Sequence, residues 1–453
     1  MYTYQDLSTV GEDEKKRMDF VQSVIRAHKQ TDIYKTAEIA DSYTKHQNYT
    51  IMNYRKLLYT ISGQAVPDNW SACYKIPSNF FSRFITQQVQ FLLGNGVTWE
   101  NDDTSDRLGN DFDTRLQDAG REALKCGVAF GFFNLDHVEI FSLLEFAPLY
   151  DEENGALMAG VRFWQIDKSK PLRATLYEID GYTDYMWENG VGQILREKRP
   201  YKLTISFTDV DGITIYNGEN YPTFPIVPLW GNAARQSEII GLQEQIDAYD
   251  LIKSGFANDL DDVSQIYWTI SNAGGMDDID LAQFVQRMKT VKAAAVQDGE
   301  QVQAHSLDIP YSAREAILDR LRKDMYRDYM ALDTDEISGG AVTATQIRAA
   351  YEPMNAKADE YEYCIIDFIQ GILSIAGIED NPTFTRSYLV NQSEEIQNLI
   401  QAGEYLPADY ITRKILTIMG DADKAEELIQ QMSADEVSRG FMAEEPQEGD
   451  VIE

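Results

Sequence analysis

The chain has 453 residues, of which 43% are hydrophobic and 25% charged, and its formal net charge is −34. This length predicts about two to four domains, and the composition is that of a globular protein. So negative a chain is a poor candidate for gripping nucleic acid by neutralising phosphates. The charge does not exclude a protein that lets DNA slide past without holding it. It has no apolar run of about 18 residues that would predict a membrane helix, and its start, MYTYQDLSTV, is unlike a signal peptide. We therefore expect synthesis in a cytoplasm-like compartment.

The first part of the chain predicts helices, and the sharpest pattern is KIPSNFFSRFITQQVQFLLGNG. Pro77 with Ser78 or Asn79 marks a helix start, and Gly94-Asn95-Gly96 supplies a left-handed stop. Apolar residues at steps of three or four predict one buried stripe. The stripe consists of Phe81, Phe84, Ile85, Val89 and Leu92.

A second helix is predicted at about residues 111–126, ending at Gly127. From there to about residue 230 the sequence favours short β-strands separated by Gly, Asp and Asn, which indicates an antiparallel sheet within a mixed domain.

An amphipathic helix of roughly 25 residues is predicted next, over 237–263. It is followed by a strand in IYWTIS, a small helix in LAQFVQRMKTV and a second strand in KAAAVQ, and then by another helix over 312–332. The apolar stripe predicted for the helix 237–263 is Leu242, Ile246, Tyr249, Ile252, Phe256, Leu260 and Val263.

The stretch TDEISGGAVTATQIRAAYEPMNAKADEYEY, residues 334–363, predicts a flexible turn before a long helix that ends at Gly377. Gly339-Gly340 gives backbone freedom, and Thr343 or Thr345 can cap the helix. Pro353 removes a backbone donor, so it should kink the helix, unless the helix begins at Pro353 itself. Beyond it, Ser393 predicts an N-cap for a group of helices near the carboxyl terminus.

Motifs for catalysis are not found. The sequence contains no GxxxxGK[ST] loop, no GxGxxG opening a helix and no GxSxG elbow. Its three cysteines form no CxxC pair and are expected to be buried free thiols, and its four histidines are scattered, so no zinc site is expected. Aspartates cluster at residues 259–262 and 277–280. Two-metal nucleases use such groups, whereas the plainer interpretation is solvated helix and loop ends.

The positions of the basic residues are more informative about function than those of the aspartates. Lys253 lies within the predicted helix 237–263, and a further group lies on the helix 312–332. Either they belong to solvated helix faces, or they form a mildly positive ring if the chain assembles around DNA. The candidates for such a ring are Lys253, Arg320, Lys323 and Arg327, and those between the two helices are Arg287, Lys289 and Lys292.

Three stretches resemble the portal proteins of tailed bacteriophages, in the family typical of long-tailed phages of Gram-positive bacteria. They are IPSNFFSRFITQQVQFLLGNGVTW, FPIVPLWGNAARQSEIIGLQEQIDAYDLIKSGFANDLDD and FTRSYLVNQSEEIQNLIQAGEYLPADYITRKI. Together with the elements between them, they cover most of residues 40–430.

The resemblance implies an α+β portal fold with a mixed α/β wing, a two-helix stem, a small α/β clip, a long kinked tunnel helix and a helical crown. The implied divisions are wing 1–235, stem helix 236–263, clip 264–309, second stem helix 310–333, tunnel loop 334–343, tunnel helix 344–377, crown 378–440 and a disordered acidic tail 441–453.

The resemblance also implies a ring of twelve copies at one capsid vertex, without enzymatic activity, cofactor or membrane contact, through which double-stranded DNA is packaged and ejected. Its implied partners are the terminase large subunit, the head–tail adaptor, and the major capsid and scaffolding proteins. The implied DNA-tunnel loop residues are Thr334, Asp335, Glu336, Ser338, Gly339, Gly340 and Thr343, with the kink at Pro353, and the clip candidates for partner binding are Arg287, Lys289 and Lys292.

Two other interpretations compete with this one. The first is a metal-dependent nuclease that uses the aspartate clusters, and the second is a different structural protein of the phage head. Metal-dependent cleavage by the pure protein would favour the first, whereas ring-shaped particles would favour the portal.

Overall fold

The computed structural model describes residues 2–59, 63–69, 71–101, 103–208, 214–262, 267–271, 301–305, 311–337, 344–388, 392–403, 405–419 and 428–429. The predicted mixture of helices and sheets is confirmed. The chain divides into two compact units, residues 1–342 with 346–387 and residues 343–345 with 388–453.

The helices of the described residues are α1 (Tyr4–Val10), α2 (Glu14–His28), α3 (Asp32–Thr44), α4 (Tyr49–Asn53), α5 (Phe80–Leu93), α6 (Asp103–Leu108), α7 (Phe112–Cys126), α8 (Gln243–Asp262), α9 (Tyr311–Tyr329), α10 (Thr334–Ile337), α11 (Ala344–Ala376), α12 (Gln392–Ala402) and α13 (Ala408–Met419).

The strands are β1 (Leu57–Tyr59), β2 (Ala65–Pro67), β3 (Val97–Thr98), β4 (Val128–Asn134), β5 (His137–Ser142), β6 (Phe146–Tyr150), β7 (Leu157–Trp164), β8 (Leu172–Glu178), β9 (Gly181–Glu188), β10 (Val191–Arg199), β11 (Lys202–Thr208), β12 (Thr214–Glu219), β13 (Ile226–Trp230), β14 (Tyr267–Ser271), β15 (Gln301–His305) and β16 (Thr383–Phe384).

The largest sheet is an antiparallel meander in the order β10-β9-β8-β7-β6. Its strands alternate inward and outward residues, as the two-residue period of a strand requires, and β9 alternates buried with half-buried residues along most of its length. The amino-terminal helices α1 and α2 cover one face, where Leu7 and Val21 pack with Val161 and other residues of the sheet. An ion pair between Arg17 and Glu178 fastens α2 to β8.

A second sheet, in the order β13-β4-β5, lies at the centre of the larger unit. The residues of β4 are buried on both faces up to the last, because helices cover the sheet. α5, α7 and α11 all contribute to this core, together with the end of α9.

Close approach between α11 and the sheet depends on residues without side chains. A Cβ on Gly131 of β4 would lie 2.4 Å from Cζ of Phe368, and a Cβ on Gly371 of α11 would lie 2.7 Å from Cγ1 of Val227. Both distances are shorter than real Cβ contacts allow, so α11 can lie this near the sheet only with glycine at these positions. Phe368 is 1% exposed in the resulting core.

The predictions for α5 and α7 are confirmed in their main features. α5 buries the whole predicted stripe of Phe81, Phe84, Ile85, Val89 and Leu92. The left-handed conformation lies at Gly96 (φ 75°) rather than at Gly94 (φ −64°). Gly127 ends α7 in the left-handed region, and Gly377 follows α11 with φ 65°.

β14 pairs with β15, residues 301–305, whereas the strand predicted in KAAAVQ and the small helix predicted before it lie outside the described residues. Two other local predictions are wrong. Ser393 lies inside α12 instead of capping it, since that helix begins at Gln392. Only Cys126 is a buried free thiol, whereas Cys73 and Cys364 are half-buried. Burial raises the pKa of the Cys126 thiol to about 12, so it is protonated at neutral pH.

The smaller unit contains α12 and α13, which pack against each other. Ile411 of α13 is buried, and a Cβ on Gly403 would lie 3.5 Å from its Cδ1 atom. The predicted acidic tail, residues 441–453, lies outside the described residues.

We expect Gly131→Ala to lower the free energy of unfolding by about 1–3 kcal/mol, because the new methyl group overpacks a core with no room beside Phe368. The matched control is Gly255→Ala in α8, where a Cβ meets nothing within 4 Å. At this position alanine should raise the free energy of unfolding by about 0.5–1 kcal/mol, since glycine is the poorer helix former. Denaturant unfolding of both variants checks this, and equal effects would contradict the proposed close packing of α11.

Candidate functional site

An extended segment, residues 74–78, lies along α8 and is bound by side chains of that helix. We call this segment the strap. Its backbone N–H groups donate to three buried polar side chains that are spaced four residues apart. Tyr74 donates to Oδ1 of Asn258 at 2.6 Å, Ile76 to Oγ of Ser254 at 3.0 Å, and Ser78 to Oδ1 of Asp250 at 2.8 Å.

The spacing explains why the strap and α8 match. Four residues of an α-helix rise about 6 Å, and two residues of an extended chain span about 6.6 Å. Alternate residues of the strap therefore meet successive turns of α8, with the two chains running in opposite directions. Asp250, Ser254 and Asn258 are at most 2% exposed, so the backbone groups of the strap find buried acceptors that replace water.

Asn48 completes this polar contact. It is 1% exposed, and its side-chain amide donates to the carbonyl oxygen of Ser78 at 3.2 Å and to Oδ2 of Asp250. Burial raises the pKa of the Asp250 carboxyl, and the hydrogen bonds from Asn48 and Ser78 oppose that rise. The carboxyl joins three parts of the chain: the turn before α4, the strap and α8.

The amphipathic pattern predicted for α8 is only partly correct. The helix begins at Gln243 rather than at 237. Leu242 and Ile246 are buried, but Leu260 is 49% exposed, and Val263 lies outside the described residues. The buried stripe of the second half is the polar one. Asp, Ser and Asn are unfavourable inside helices, and their recurrence at positions 250, 254 and 258 was the signal that could have revealed the contact.

The basic candidates on α9 are exposed, and each is near an aspartate of the same helix. Arg320 lies 3.6 Å from Asp324, Lys323 lies 2.9 Å from Asp319, and Arg327 lies 3.3 Å from Asp324. Such pairs contribute little to stability when exposed, but they reduce the positive potential of the helix. Lys253 of α8 is half-buried, and its Nζ lies 5.9 Å from the ring of Tyr249.

The predicted tunnel loop begins as a helical turn. Thr334, Asp335 and Glu336 lie in α10, so residues 334–337 are helical and not loop. Arg322 of α9 donates to Oδ2 of Asp333 at 2.8 Å and to Oδ2 of Asp335 at 3.0 Å, and these contacts fix the turn to α9. Local sequence patterns could not predict this link, because both aspartates lie beyond the end of α9.

Several candidates cannot be located because they lie outside the described residues. They are Ser338, Gly339, Gly340 and Thr343 of the predicted loop, and Arg287, Lys289 and Lys292 of the predicted clip.

Pro353 lies inside α11, which runs from Ala344 to Ala376. The alternative that the helix begins at Pro353 is therefore wrong. Thr345 lies within the helix and does not cap it. The kink predicted at Pro353 stays a prediction.

α11 is anchored on both sides of its proline. Tyr351, Met354 and Ala358 form a small buried cluster with Phe91 and Leu332. Further along, the helix enters the main core. The residues predicted to hold it there, Tyr361, Ile365, Phe368 and Ile372, are all at most 1% exposed.

A buried ion pair joins α11 to the segment before α8. Nζ of Lys357 donates to Oε2 of Glu238 at 2.6 Å and to the carbonyl oxygen of Tyr329 at 3.2 Å. Glu238 also accepts from the Asn232 amide at 2.7 Å. Burial lowers the pKa of Lys357, against the opposing effect of the Glu238 carboxylate. The ammonium group lies 3.4 Å from the centre of the Tyr329 ring, so the segment before α8, the end of α9 and α11 meet at this lysine.

Between α9 and the start of α11 is a groove of about 410 Å³. Lys323 and Arg327 of α9 and Gln346 and Pro353 of α11 contribute to its lining. Two of the basic candidates, Lys323 and Arg327, thus line this groove.

The part of the chain that the structure describes contains no group of three His, Cys, Asp or Glu side chains arranged to hold a metal ion. Of the first aspartate cluster, Asp259 forms an ion pair with Arg314 at 2.5 Å. Residues 277–280 lie outside the described ranges. Among the described helices, none is long and apolar enough to span a membrane.

Comparison with known proteins identifies the family. The family model described as "Phage portal protein, SPP1 Gp6-like" matches residues 10–438. The chain belongs to this family of phage portal proteins. A portal function and a place in the phage virion follow from that membership, and the resemblance noted in the sequence is confirmed. The family is a structural one.

Two relatives are similar over most of their length. The portal protein of Clostridium phage phiCD119 is 24% identical over 390 residues, which are 78% of this chain and 84% of the relative. The portal protein of Bacillus phage SPP1 is 22% identical over 390 residues, 77% of this chain and 73% of the relative.

Solved structures give a weaker likeness. A chain from the neck of an empty gene transfer agent particle is 9% identical with a TM-score of 0.41, over 75% of this chain and 90% of that one. A chain from the virion of a native gene transfer agent is 10% identical with a TM-score of 0.41, over 75% and 89%. These scores are too low to add to the family assignment.

We expect Asp250→Ala to lower the free energy of unfolding by about 1–3 kcal/mol, because it leaves the buried donors of Ser78 and Asn48 without their acceptor. Glu244→Ala is the matched control, since it removes an exposed carboxylate from the first turn of the same helix and should change stability by at most about 0.5 kcal/mol. Denaturant unfolding measures both. If Asp250→Ala were as stable as the control, the strap would not depend on its contacts with α8.

Proposed function

We propose that the chain assembles into a closed ring of twelve copies at one vertex of the capsid, through which double-stranded DNA is packaged and ejected. The observation that carries this proposal is the match of the portal family model over residues 10–438. The chain would be made in the cytoplasm of the host bacterium and kept at the portal vertex of the virion. It would act without catalysis, cofactor or membrane contact.

In this proposal α8 and α9 are the stem that surrounds the channel. Their packing supports the assignment: Arg314 pairs with Asp259 at 2.5 Å, and the rings of Phe256 and Tyr311 meet edge to face at 5.5 Å. The paired strands β14 and β15 connect the two helices in the chain, as expected of a compact clip at the end of a two-helix stem.

DNA contact would be weak and repeated. The candidates Arg320 and Arg327 are exposed, with side-chain accessibilities of 84% and 77%, and both pair with Asp324. A cation that already pairs with an aspartate gains less free energy from binding a phosphate. A ring of such residues would therefore bind DNA only weakly at each contact. Lys253 and Lys323 would add to the same ring.

Partners would bind at the two ends of the channel and around it. We assign the terminase large subunit and, after packaging, the head–tail adaptor to the clip, residues 264–309, with Arg287, Lys289 and Lys292 as candidate contacts. The major capsid and scaffolding proteins would contact the wing, residues 1–235. The helices α12 and α13 would form the crown.

Residues 338–343 would form the tunnel loop at the narrowest part of the channel. Support comes from both sides: Arg322 fixes α10 before the loop, and α11 is anchored from Tyr351 onward after it. Movement would then be confined to the loop and the first turns of α11, where Gly339-Gly340 supplies backbone freedom and Pro353 weakens the helix.

The ring is tested by negative-stain class averages of the purified full chain. We expect closed rings with a central hole, and native mass spectrometry should give a mass that is a whole multiple of the 51.5 kDa subunit, twelvefold for the virion form. Monomers or open filaments at all concentrations would contradict a portal ring. Divalent-metal-dependent cleavage of DNA by the same preparation would contradict the absence of catalysis.

Movement of the tunnel loop is tested by combining Pro353→Ala with Gly339→Ala and Gly340→Ala. Alanine restores a backbone donor and avoids the proline clash, worth up to about 3 kcal/mol in a helix interior. We therefore expect slower DNA packaging with unchanged ring formation. Glu352→Ala is the matched control, since it changes the adjacent exposed residue of α11 without altering the backbone. Packaging by the triple variant at the rate of this control would exclude a moving loop.

A further inference from the structure

A β-hairpin projects from the larger unit between α4 and the strap. We call it the arm: residues 54–59 and 63–69, with β1 and β2 paired from Leu57 opposite Pro67 to Tyr59 opposite Ala65. At its base the N–H of Asp68 donates to the carbonyl oxygen of Lys56 at 2.9 Å. Among the residues whose burial is described, none between 52 and 77 is buried, so these residues of the arm lie outside the described core.

Apolar side chains of the arm are exposed on both of its faces. Leu57 is 51% exposed and Val66 is 39% exposed. Because Leu57 pairs with Pro67 and successive strand residues point to opposite sides, Leu57 and Val66 lie on different faces. Tyr54 at the base of the arm is exposed as well, and so are three large hydrophobic side chains next to the arm in the sequence, Tyr49, Met52 and Tyr74.

Such a hairpin needs a covering surface. Two strands alone are marginally stable in water, and grouped apolar side chains on a surface usually mark a contact with another molecule. The arm has apolar residues on both of its faces. A second protein that contacts both faces would bury them, whereas pairing with the edge of another sheet would not.

The charge of the surrounding sequence indicates what that protein is. Residues 42–99 contain five Lys or Arg and a single acidic residue, Asp68, a formal charge of +4. The rest of the chain contains 73 acidic and 35 basic residues (74 less one, and 40 less five). The remainder of a second copy is therefore, on average, opposite in sign to the segment that carries the arm.

We propose that the arm binds the neighbouring copy in the ring, so that each subunit holds the next one by its arm. This inference rests on the proposed ring. Copies that carry a charge of −34 repel one another, and a ring therefore needs a local contact that is apolar and opposite in sign. An arm on one side and its receiving surface elsewhere on the subunit make a head-to-tail contact, which closes into a ring when the rotation between copies allows it.

DNA is the less suitable occupant of the arm. Phosphates attract Arg55 and Lys75, but Leu57 and Val66 gain nothing from a sliding polyanion, whereas a protein surface buries them. DNA binding is kept as an outcome of the test.

The test compares ring assembly of three full-length proteins over a series of concentrations, measured by light scattering after size exclusion and by native mass spectrometry. The arm variant carries Arg55→Glu, Leu57→Ser and Val66→Ser. The matched control carries Ile166→Ser and Lys168→Glu, which change an 87% exposed isoleucine and an exposed lysine in the turn between β7 and β8. The third protein is the unaltered chain. Binding of each to a labelled 30-base-pair duplex is measured in parallel.

We expect the arm variant to need at least about tenfold more protein for half-assembly than the control, with equal melting temperatures of the subunits. If the arm variant melts early, Arg55→Glu alone is compared, and it should shift assembly in the same direction. Assembly at the concentration of the control would overturn the proposal, and so would a loss of duplex binding with normal assembly, which would assign the arm to DNA. If the unaltered chain forms no ring, the proposed function fails together with this inference. Failure of the inference alone leaves the unaltered ring intact.

Discussion

The packing of α11 into the central core is the constraint on which the rest of the structure depends. The helix can lie against the sheet and α7 only because three positions have no side chain. Gly131 faces Phe368, Gly371 faces Val227, and a Cβ on Gly120 of α7 would lie 2.6 Å from the hydroxyl of Tyr361. Because the interior of a protein is densely packed and hardly compressible, the helix cannot shift by small amounts against the sheet. The second half of α11 is therefore a fixed element around which the neighbouring helices are placed.

Polar contacts then set the positions of α8 and α9 relative to this fixed helix. Lys357 connects α11 to Glu238 before α8 and to Tyr329 at the end of α9. Further along α8, the strap is bound by buried hydrogen bonds instead of apolar side chains. Hydrogen bonds have directions, and apolar contacts do not, so the strap fixes the rotation of α8 about its own axis. In a ring, that rotation would decide which side chains of the stem face the channel.

Local patterns in the sequence were sufficient for some elements. The spacing of Phe81, Phe84 and Val89 predicted the buried face of α5, and glycine predicted the ends of α7 and α11. Contacts between distant parts of the chain could not be predicted in this way. The burial of the polar stripe of α8 was not predicted, because its partners are 172–184 residues away in the sequence. The helical start of the predicted loop was missed too, because Arg322 reaches Asp333 and Asp335 from another helix. The resemblance to portal proteins implied a candidate site only as a region of the chain, and the pairing of Arg320, Lys323 and Arg327 with aspartates became visible only in the fold.

α11 is held in the core from Lys357 to its end, and the proposed movement of the tunnel loop requires that the first turns of the helix open more easily. Hydrogen exchange of the full chain, read by mass spectrometry in peptides from α11, tests this most directly. Amides of residues 361–373 should exchange at least about two orders of magnitude more slowly than those of residues 345–350, because their opening requires unfolding of the core. Equal exchange in the two segments would contradict a fixed α11 and, with it, a movable loop carried by a rigid helix.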